Sequence, residues 1–343
     1  LAPLDLQAAL AQGPRGWLVT GAAGFIGSHL VEELLRQGQR VVGLDNLSTG
    51  HRANLTDAVR RAGPGAEARF RFVEGDVAEG AACRDACAGV ERVLHQAALG
   101  SVPRSLADPL ATHRANVDGF VTLLVAARDA GVRRFVYASS SSVYGDDPGL
   151  PKVEARVGEV LSPYAATKKV NELYAQVFQR SYGLQCIGLR YFNVFGPRQD
   201  PQGAYAAVIP RWVSALAAGQ PCELNGDGST SRDFCFVANA VQANLRAALA
   251  PEASATGAVY NVAVGEKTSL LELHRLLRER VALRRPAAAG LEPRLGPFRP
   301  GDIKDSLADI SLARERLGYA PTHRIAQGLD ETVAWYLSRP EAS

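Results

Sequence analysis

Thr20-Gly21-Ala22-Ala23-Gly24-Phe25-Ile26-Gly27 follows a β-rich run, Gly16–Thr20, and opens a helical pattern, Ile26–Arg36. A glycine-rich turn between strand and helix is the setting of a dinucleotide-binding loop. Gly21 permits a tight turn, and Gly24 lets backbone N–H groups approach a pyrophosphate at the helix N-terminus. Gly27 lets helix and strand pack closely. Phe25 and Ile26 lie inside the same loop and join the cofactor candidates. The spacing is G-x-x-G-x-x-G rather than G-x-G-x-x-G, so the loop alone does not separate a cofactor site from a plain turn. The next strand makes that separation. Arg40–Asp45 ends in an acid at the distance, about 20 residues on, where a carboxylate meets the adenosine ribose hydroxyls. A carboxylate there repels a 2′-phosphate, so NAD is expected rather than NADP. Asn46 follows directly, and Asp76-Val77, beyond a third strand, is placed to meet the adenine.

Outward from the loop, strand-like and helical segments alternate. The strands are predicted at Gly16–Thr20, Arg40–Asp45, Phe70–Glu74, Arg92–Gln96, Arg134–Ser139 and Gln185–Tyr191. Helices are predicted at Ile26–Arg36, Asn116–Ala130 and Pro163–Ser181, with a short leading one over Leu4–Ala11. Such alternation gives a doubly wound parallel α/β sheet. After Asn193 the pattern changes. Gly196-Pro197, Pro201, Gly203 and Asn225-Gly226-Asp227-Gly228 mark loops around one helix, Ile209–Ala218. A βαβ-like piece then runs from Cys235 to Val262, and a Pro- and Gly-rich stretch, Pro286–Gly301, precedes the last helices. The expected division is a dinucleotide domain over residues 1–192, to which 235–265 returns, and a smaller C-terminal α/β substrate lobe from 193–234 and 266–343.

Ser162-Pro163-Tyr164-Ala165-Ala166-Thr167-Lys168 is the second decisive stretch. Ser162 can cap a helix whose first position suits Pro163. Tyr164 and Lys168 are then i and i+4, on one face. Bringing a Tyr pKa from about 10 toward neutrality takes roughly 4 kcal/mol, which a neighbouring ammonium and a nicotinamide charge are expected to supply. The product is a general base for an alcohol. Ser139-Ser140-Ser141-Ser142 ends the fifth predicted strand, at the edge where open α/β sheets bind ligands. Ser140, Ser141 and Ser142 are therefore candidates to bridge a substrate hydroxyl and Tyr164.

Composition narrows the partners. With 343 residues and 47% hydrophobic content the chain can fill a large core, and a formal charge of +3 without a basic run does not point to nucleic acid. Only five of the 38 basic residues are lysines, which sets Lys168 apart. Cys83, Cys87, Cys186, Cys222 and Cys235 lack the His or second Cys pair that a metal site needs. They read as free thiols of a reducing cytosol, with no metal expected. No signal-peptide pattern opens the sequence, and no apolar stretch has membrane-spanning length. A cytoplasmic protein without a membrane partner is expected.

At these motifs the sequence resembles the extended short-chain dehydrogenase/reductases with a Rossmann sheet, and within them the UDP-hexose 4-epimerases. The likeness runs from about Trp17 to Tyr319 and looks closest to the bacterial UDP-N-acetylglucosamine 4-epimerases of surface-polysaccharide synthesis. Besides Gly21–Gly27 and Tyr164–Lys168, the stretches His95–Val102, Ser139–Gly145, Arg190–Arg198, Ser231–Phe234 and Arg299–Asp302 carry it. The resemblance implies that Gln96, Ala97, Ala98, Asn116, Tyr164, Lys168 and Tyr191 also contact NAD. It implies a grip on UDP by Asn193, Arg232, Arg299 and Asp302, with Gly100, Ser101, Ser141, Ser142, Gln199, Ala207, Val208 and Ser306 around the sugar. In such an enzyme Tyr164 takes the proton of the sugar 4-OH, and tightly held NAD removes and returns hydride at C4. The family also pairs the helix after Val102 with the Tyr164 helix in an intermolecular bundle, which implies a homodimer.

Two positions bear on the substrate. Some galactose epimerases have lysine where this chain has Gly100, and galactose-restricted relatives carry a bulky Tyr where it has Ser306. Small residues at Gly100, Ala207 and Ser306 leave room for a 2-acetamido group, which Gln199 and Ser141 could hydrogen-bond. UDP-GlcNAc and UDP-GalNAc are thus favoured, with UDP-Glc and UDP-Gal still open. The 4,6-dehydratases carry an Asp-Glu pair where Ser141-Ser142 stand, and the UDP-glucuronate decarboxylases a Glu at Ser142. Neither acid is present here. A non-catalytic NAD-binding protein on the same fold is the alternative of a different class.

Overall fold

A computed structural model describes residues 4–201, 206–251, 255–298 and 304–339. Its first six strands are β1 (Gly16–Thr20), β2 (Arg40–Asp45), β3 (Phe70–Glu74), β4 (Arg92–His95), β5 (Arg134–Ser140) and β6 (Gln185–Tyr191). Four short strands follow: β7 (Val194–Phe195), β8 (Glu223–Asn225), β9 (Ser231–Arg232) and β10 (Cys235–Phe236). The chain then returns to the main sheet as β11 (Val259–Val262). Seven parallel strands lie in the order β11-β6-β5-β4-β1-β2-β3. The order reverses between β1 and β4, and in open α/β sheets the ligand crevice lies at that point.

Side chains alternate across this sheet with the period of two that strands impose. Trp17 and Val19 enter the core on one face with Leu30 and Leu34, while Leu18 enters the other with Phe120 and Leu123. The first face is covered by α2 (Phe25–Arg36) and by the helix Val237–Leu249. The second is covered by Gly80–Cys87 and Gly119–Asp129. Ala308, Ile310, Ala313, Leu317 and Tyr319 join the first of these cores, on the sheet side. A third core, with Phe195, Ile209, Trp212, Leu224, Leu273 and Leu329, sits beyond the carboxyl ends of the strands. The cavity described below opens between the sheet and this third core.

Most predicted elements are present within a residue or two. The clear difference is the helix expected to run long after Val102. It is broken into Val102–Ala107 and Pro109–His113, followed by a π turn, Arg114–Asp118. Asp108 sits between them at φ −141°, ψ 84° because the ring of Pro109 excludes the helical region for the residue before it. Asp108 then caps the second piece, accepting from the Ala111 amide at 2.9 Å. The Tyr164 helix, Pro163–Tyr182, is intact over 20 residues and closes on Gly183 in the left-handed conformation.

Candidate active site

The turn after β1 can be built only from glycine at two places. Gly21 has φ +64°, and a Cβ there would stand 2.8 Å from the Ala97 amide nitrogen. A Cβ on Gly27 would stand 2.0 Å from the Gly21 carbonyl oxygen. The loop therefore lies flat against the β4 exit, with Gly24 at the N-terminus of α2. Asp45 faces this loop from the end of β2. Its two oxygens accept from the amides of Ala23 at 2.9 Å and Leu47 at 2.8 Å, and the Gly24 amide also approaches the carboxylate. Burial raises the Asp45 pKa, opposed by these backbone amides. Asn46 donates to Asp76 at 3.0 Å and so ties the tips of β2 and β3 together.

These groups line one cavity of about 510 Å³, within the range of ligand pockets. Gly21, Gly24, Phe25, Ile26, Gly27, Asp45, Asn46, Asp76 and Val77 form one part of its wall. Gln96, Ala97, Ala98, Gly100, Ser140, Tyr164, Lys168, Tyr191, Asn193 and Gln199 form the other. The flat glycine turn, the Asp45 carboxylate in the same wall and the size of the cavity fit a dinucleotide. Asn116 is not in the wall. Its Oδ1 accepts from Leu99 N at 2.8 Å, and its Nδ2 donates to Leu99 O and Thr167 Oγ1, each at 3.1 Å. Both ends of the amide thus hold the Leu99 loop against the Tyr164 helix.

Ser162 caps that helix, accepting from Ala165 N at 3.1 Å, and Pro163 occupies its first turn. Tyr164 and Lys168 both face the cavity, but the ammonium does not meet the phenol. Lys168 Nζ donates to the Ala138 carbonyl at 2.9 Å and lies 5.9 Å from the centroid of the Tyr164 ring. Burial pushes the Tyr164 pKa up, opposed by a hydrogen bond with Ser140. Burial of the ring thus works against the lowering that an ammonium and a nicotinamide charge together are expected to supply. Burial also lowers Lys168, to about 8. Ser140 is held by Ser142, whose amide and hydroxyl approach its Oγ at 3.2 and 3.0 Å.

The remaining substrate candidates are more scattered. Asn193, at φ +35°, donates to the Asp233 carbonyl at 3.2 Å. Ser306 donates its amide to the Ser231 carbonyl at 3.1 Å, next to Arg232. Ser101, Ser141, Ser142, Ala207, Val208, Arg232 and Ser306 are not among the residues lining the cavity. Arg299 and Asp302 lie outside the described residues.

Several groups at the site were not singled out from the sequence. Ser48, Thr49, His51 and Asn54 line the cavity, and Asn54 pins the glycine loop by donating to Ala23 O at 2.9 Å. Their signal was the polar run that follows Asp45. Gln96, Tyr191 and Asn244 close a triangle of bonds at 3.0, 3.0 and 2.6 Å. Asn244 is 148 residues from Gln96, so no local pattern announces it. Asp233 is buried and accepts from Val264, Gly265 and Ala308 amides, at 2.9, 3.0 and 3.3 Å. Burial raises its pKa to about 6.

A dinucleotide cleft that holds a half-buried Tyr beside a buried Lys defines an alcohol-oxidising site of the extended short-chain dehydrogenase/reductase class. Residues 17–263 match the NAD dependent epimerase/dehydratase family, and the chain belongs to it. It is an NAD-dependent isomerase of the UDP-sugar 4-epimerase type. It is 40% identical over 327 residues to a UDP-glucose 4-epimerase of Mycolicibacterium smegmatis, covering 94% of this chain and 99% of that one. It is 36% identical over 323 residues to a dTDP-glucose 4,6-dehydratase of Streptomyces griseus, covering 93% of each. Among solved structures it is similar to the UDP-N-acetylglucosamine 4-epimerase of Methanobrevibacter ruminantium M1 in complex with UDP-N-acetylmuramic acid. That match has a TM-score of 0.86 and 36% identity, covering 95% of this chain and 99% of that one.

Proposed function

We propose that this chain interconverts UDP-GlcNAc and UDP-GalNAc by epimerisation at C4. The glycine turn and Asp45 would hold NAD⁺, which when bound would supply the acceptor for the C4 hydride. Tyr164 takes the 4-OH proton and gives it back, Ser140 aligns the hydroxyl with the phenol, and Lys168 holds positive charge beneath them. The two serines Ser141-Ser142, where the dehydratases hold an acid pair, support epimerisation and nothing further, since elimination needs groups to move a second proton. Asn193 and Arg232, with Arg299 and Asp302, are assigned the grip on UDP; guanidinium groups suit a diphosphate.

The sugar choice rests on Ser306. A hydroxymethyl group is fixed there beside Arg232, through the amide bond to Ser231. Two features agree with a wider sugar pocket. A Cβ built on Gly100 meets nothing within 4 Å, and Gln199 Oε1 is buried without a hydrogen-bond partner among the described residues. An acetamido N–H is a suitable donor for it. The test is Ser306→Tyr. Overpacking costs about 1–3 kcal/mol, so kcat/KM for UDP-GalNAc relative to UDP-Gal should fall roughly ten- to a hundredfold. An unchanged ratio would remove Ser306 from the pocket and the assignment with it.

We further assign the cofactor to the main sheet and the UDP-sugar to the lobe around the third core. A homodimer is supported by Leu106, Leu110, Leu173, Tyr174 and Val177, exposed on packed helices that include the Tyr164 helix. A monomer mass by light scattering at micromolar concentration would contradict it. The five buried free thiols support a cytoplasmic setting. Among the described residues no helix is long and apolar enough to cross a membrane.

A further inference from the structure

Residues 197–200 follow β7 and lie against the middle of α2, and five contacts fasten them to α2 and its neighbours. The Pro197 carbonyl accepts from His29 Nε2 of α2 at 3.0 Å. A carbonyl cannot donate, so this ring carries its proton on Nε2. Burial first, and then the charge of Arg198, keep the imidazole neutral, with a pKa of about 3. The Arg198 side chain is almost wholly enclosed. It pairs with Glu32 of α2 and with Asp57 of the next helix, Arg52–Ala62, at 2.8 Å to the latter. His51 and Asp200 approach to 3.5 Å, and the Tyr336 hydroxyl donates to the Gln199 carbonyl. Arg198 itself has φ +65°, a conformation that a residue with a Cβ adopts only when its surroundings impose it.

Arg198, Gln199 and Asp200 line the same cavity as Gly24 and Gly27. The glycine turn and this segment thus border one cleft. A dinucleotide held by the glycine turn and Asp45 would lie beside residues 198–200. We infer that residues 197–200 are a strap that retains the cofactor, with Arg198 and Asp57 as its fastening. The reaction returns its hydride to the substrate, so the cofactor never needs to leave, and a closed strap costs no turnover. Arg198 and Asp57 are positioning residues in this account. They act on cofactor release and not on the reacting atoms, whichever sugar is used.

The experiment reads release directly. Purified holoenzyme is mixed with excess isotope-labelled NAD⁺, and the bound cofactor is extracted at intervals and weighed by mass spectrometry. Arg198→Ala and Asp57→Asn should each speed replacement at least tenfold, with Arg198→Lys between them and wild type. Asp57→Asn changes a partly buried side chain without removing atoms and keeps the test available if Arg198→Ala does not fold. Replacement within twofold of wild type in every folded variant would overturn the strap. So would wild-type enzyme that exchanges its cofactor as fast as the variants.

Discussion

The cofactor end of the cavity and its sugar end are built from different kinds of sequence. At the first, wall residues come in short contiguous runs at strand exits: Gly21–Gly27 after β1, Asp45–Asn46 after β2, Asp76–Val77 after β3 and Gln96–Ala98 after β4. Each run is placed by the strand before it, and the strands are in register through parallel pairing. The sugar candidates Asn193, Gln199, Ala207, Arg232 and Ser306, of which the first two line the cavity, come from loops and two-residue strands spread over more than a hundred positions. Their placement depends on tertiary bonds such as Ser306 to Ser231 and Asp233 to three distant amides. A site made of strand ends is rigid by construction. A site made of crossing loops is held by a few buried polar groups.

The two ends should respond differently to similar changes. The largest effect expected is at their junction. Tyr164→Phe keeps the packed ring but removes the proton acceptor, and should lower kcat about 10²–10⁴-fold while the bound NAD is retained. Near wild-type turnover would remove the mechanism. Next comes the same substitution at two glycines. Gly27→Ala puts a methyl 2.0 Å from the Gly21 carbonyl, a backbone atom that cannot swing away. It should weaken NAD binding about ten- to a hundredfold, read from the cofactor content of the purified protein. Gly100→Ala meets nothing within 4 Å and should leave that content unchanged. Equal behaviour of the two variants would erase the contrast between a rigid end and an open one.

The smallest effect is on stability against acid. His29 and His95 are both held neutral by burial, with pKa values of about 3. His95 is locked by Thr20 Oγ1 at 2.7 Å. An unfolded histidine protonates near 6.5, so the stability these rings contribute is present above pH 6.5 and is lost as pH falls toward 3. Each gives a slope of about 1.4 kcal/mol per pH unit between those limits. Asp233, raised to about 6, works in the opposite sense between roughly pH 4 and 6, with Asp45 and Glu154 also raised by burial. A third histidine, His274, is lowered by burial in the same sense as the other two. The Tm by circular dichroism should therefore drop from pH 7.5 to pH 5, less steeply in His95→Asn. A flat profile would mean that one or both rings take up a proton in the fold.

The same contrast explains what was legible in the sequence. Gly21, Asp45 and the Tyr164/Lys168 pair follow from local rules, because a strand, a turn and an i, i+4 spacing fix where they point. The break at Asp108 was also written there, in the Asp108-Pro109 pair, but a long helical pattern on both sides hid it. Asn116 was placed near the cofactor but not given its partners, since Leu99 and Thr167 come together only in the folded chain. The burial that raises the Tyr164 pKa is an effect that spacing does not show. Spacing puts Lys168 on the correct face, but it says nothing of the Ala138 carbonyl that claims the ammonium. Asn244 and Asp233 act through bonds to residues far away in sequence, and no spacing rule reaches them.

The central claim is tested most directly by incubating the purified protein with UDP-GlcNAc, without added cofactor, and resolving the sugar nucleotides. The account predicts that UDP-GalNAc accumulates to an equilibrium mixture, that the same mixture forms from UDP-GalNAc, and that no 4-keto-6-deoxy product appears. Conversion of UDP-Glc alone would contradict the sugar assignment. A dehydrated product, or no turnover by protein that holds NAD, would contradict the account as a whole.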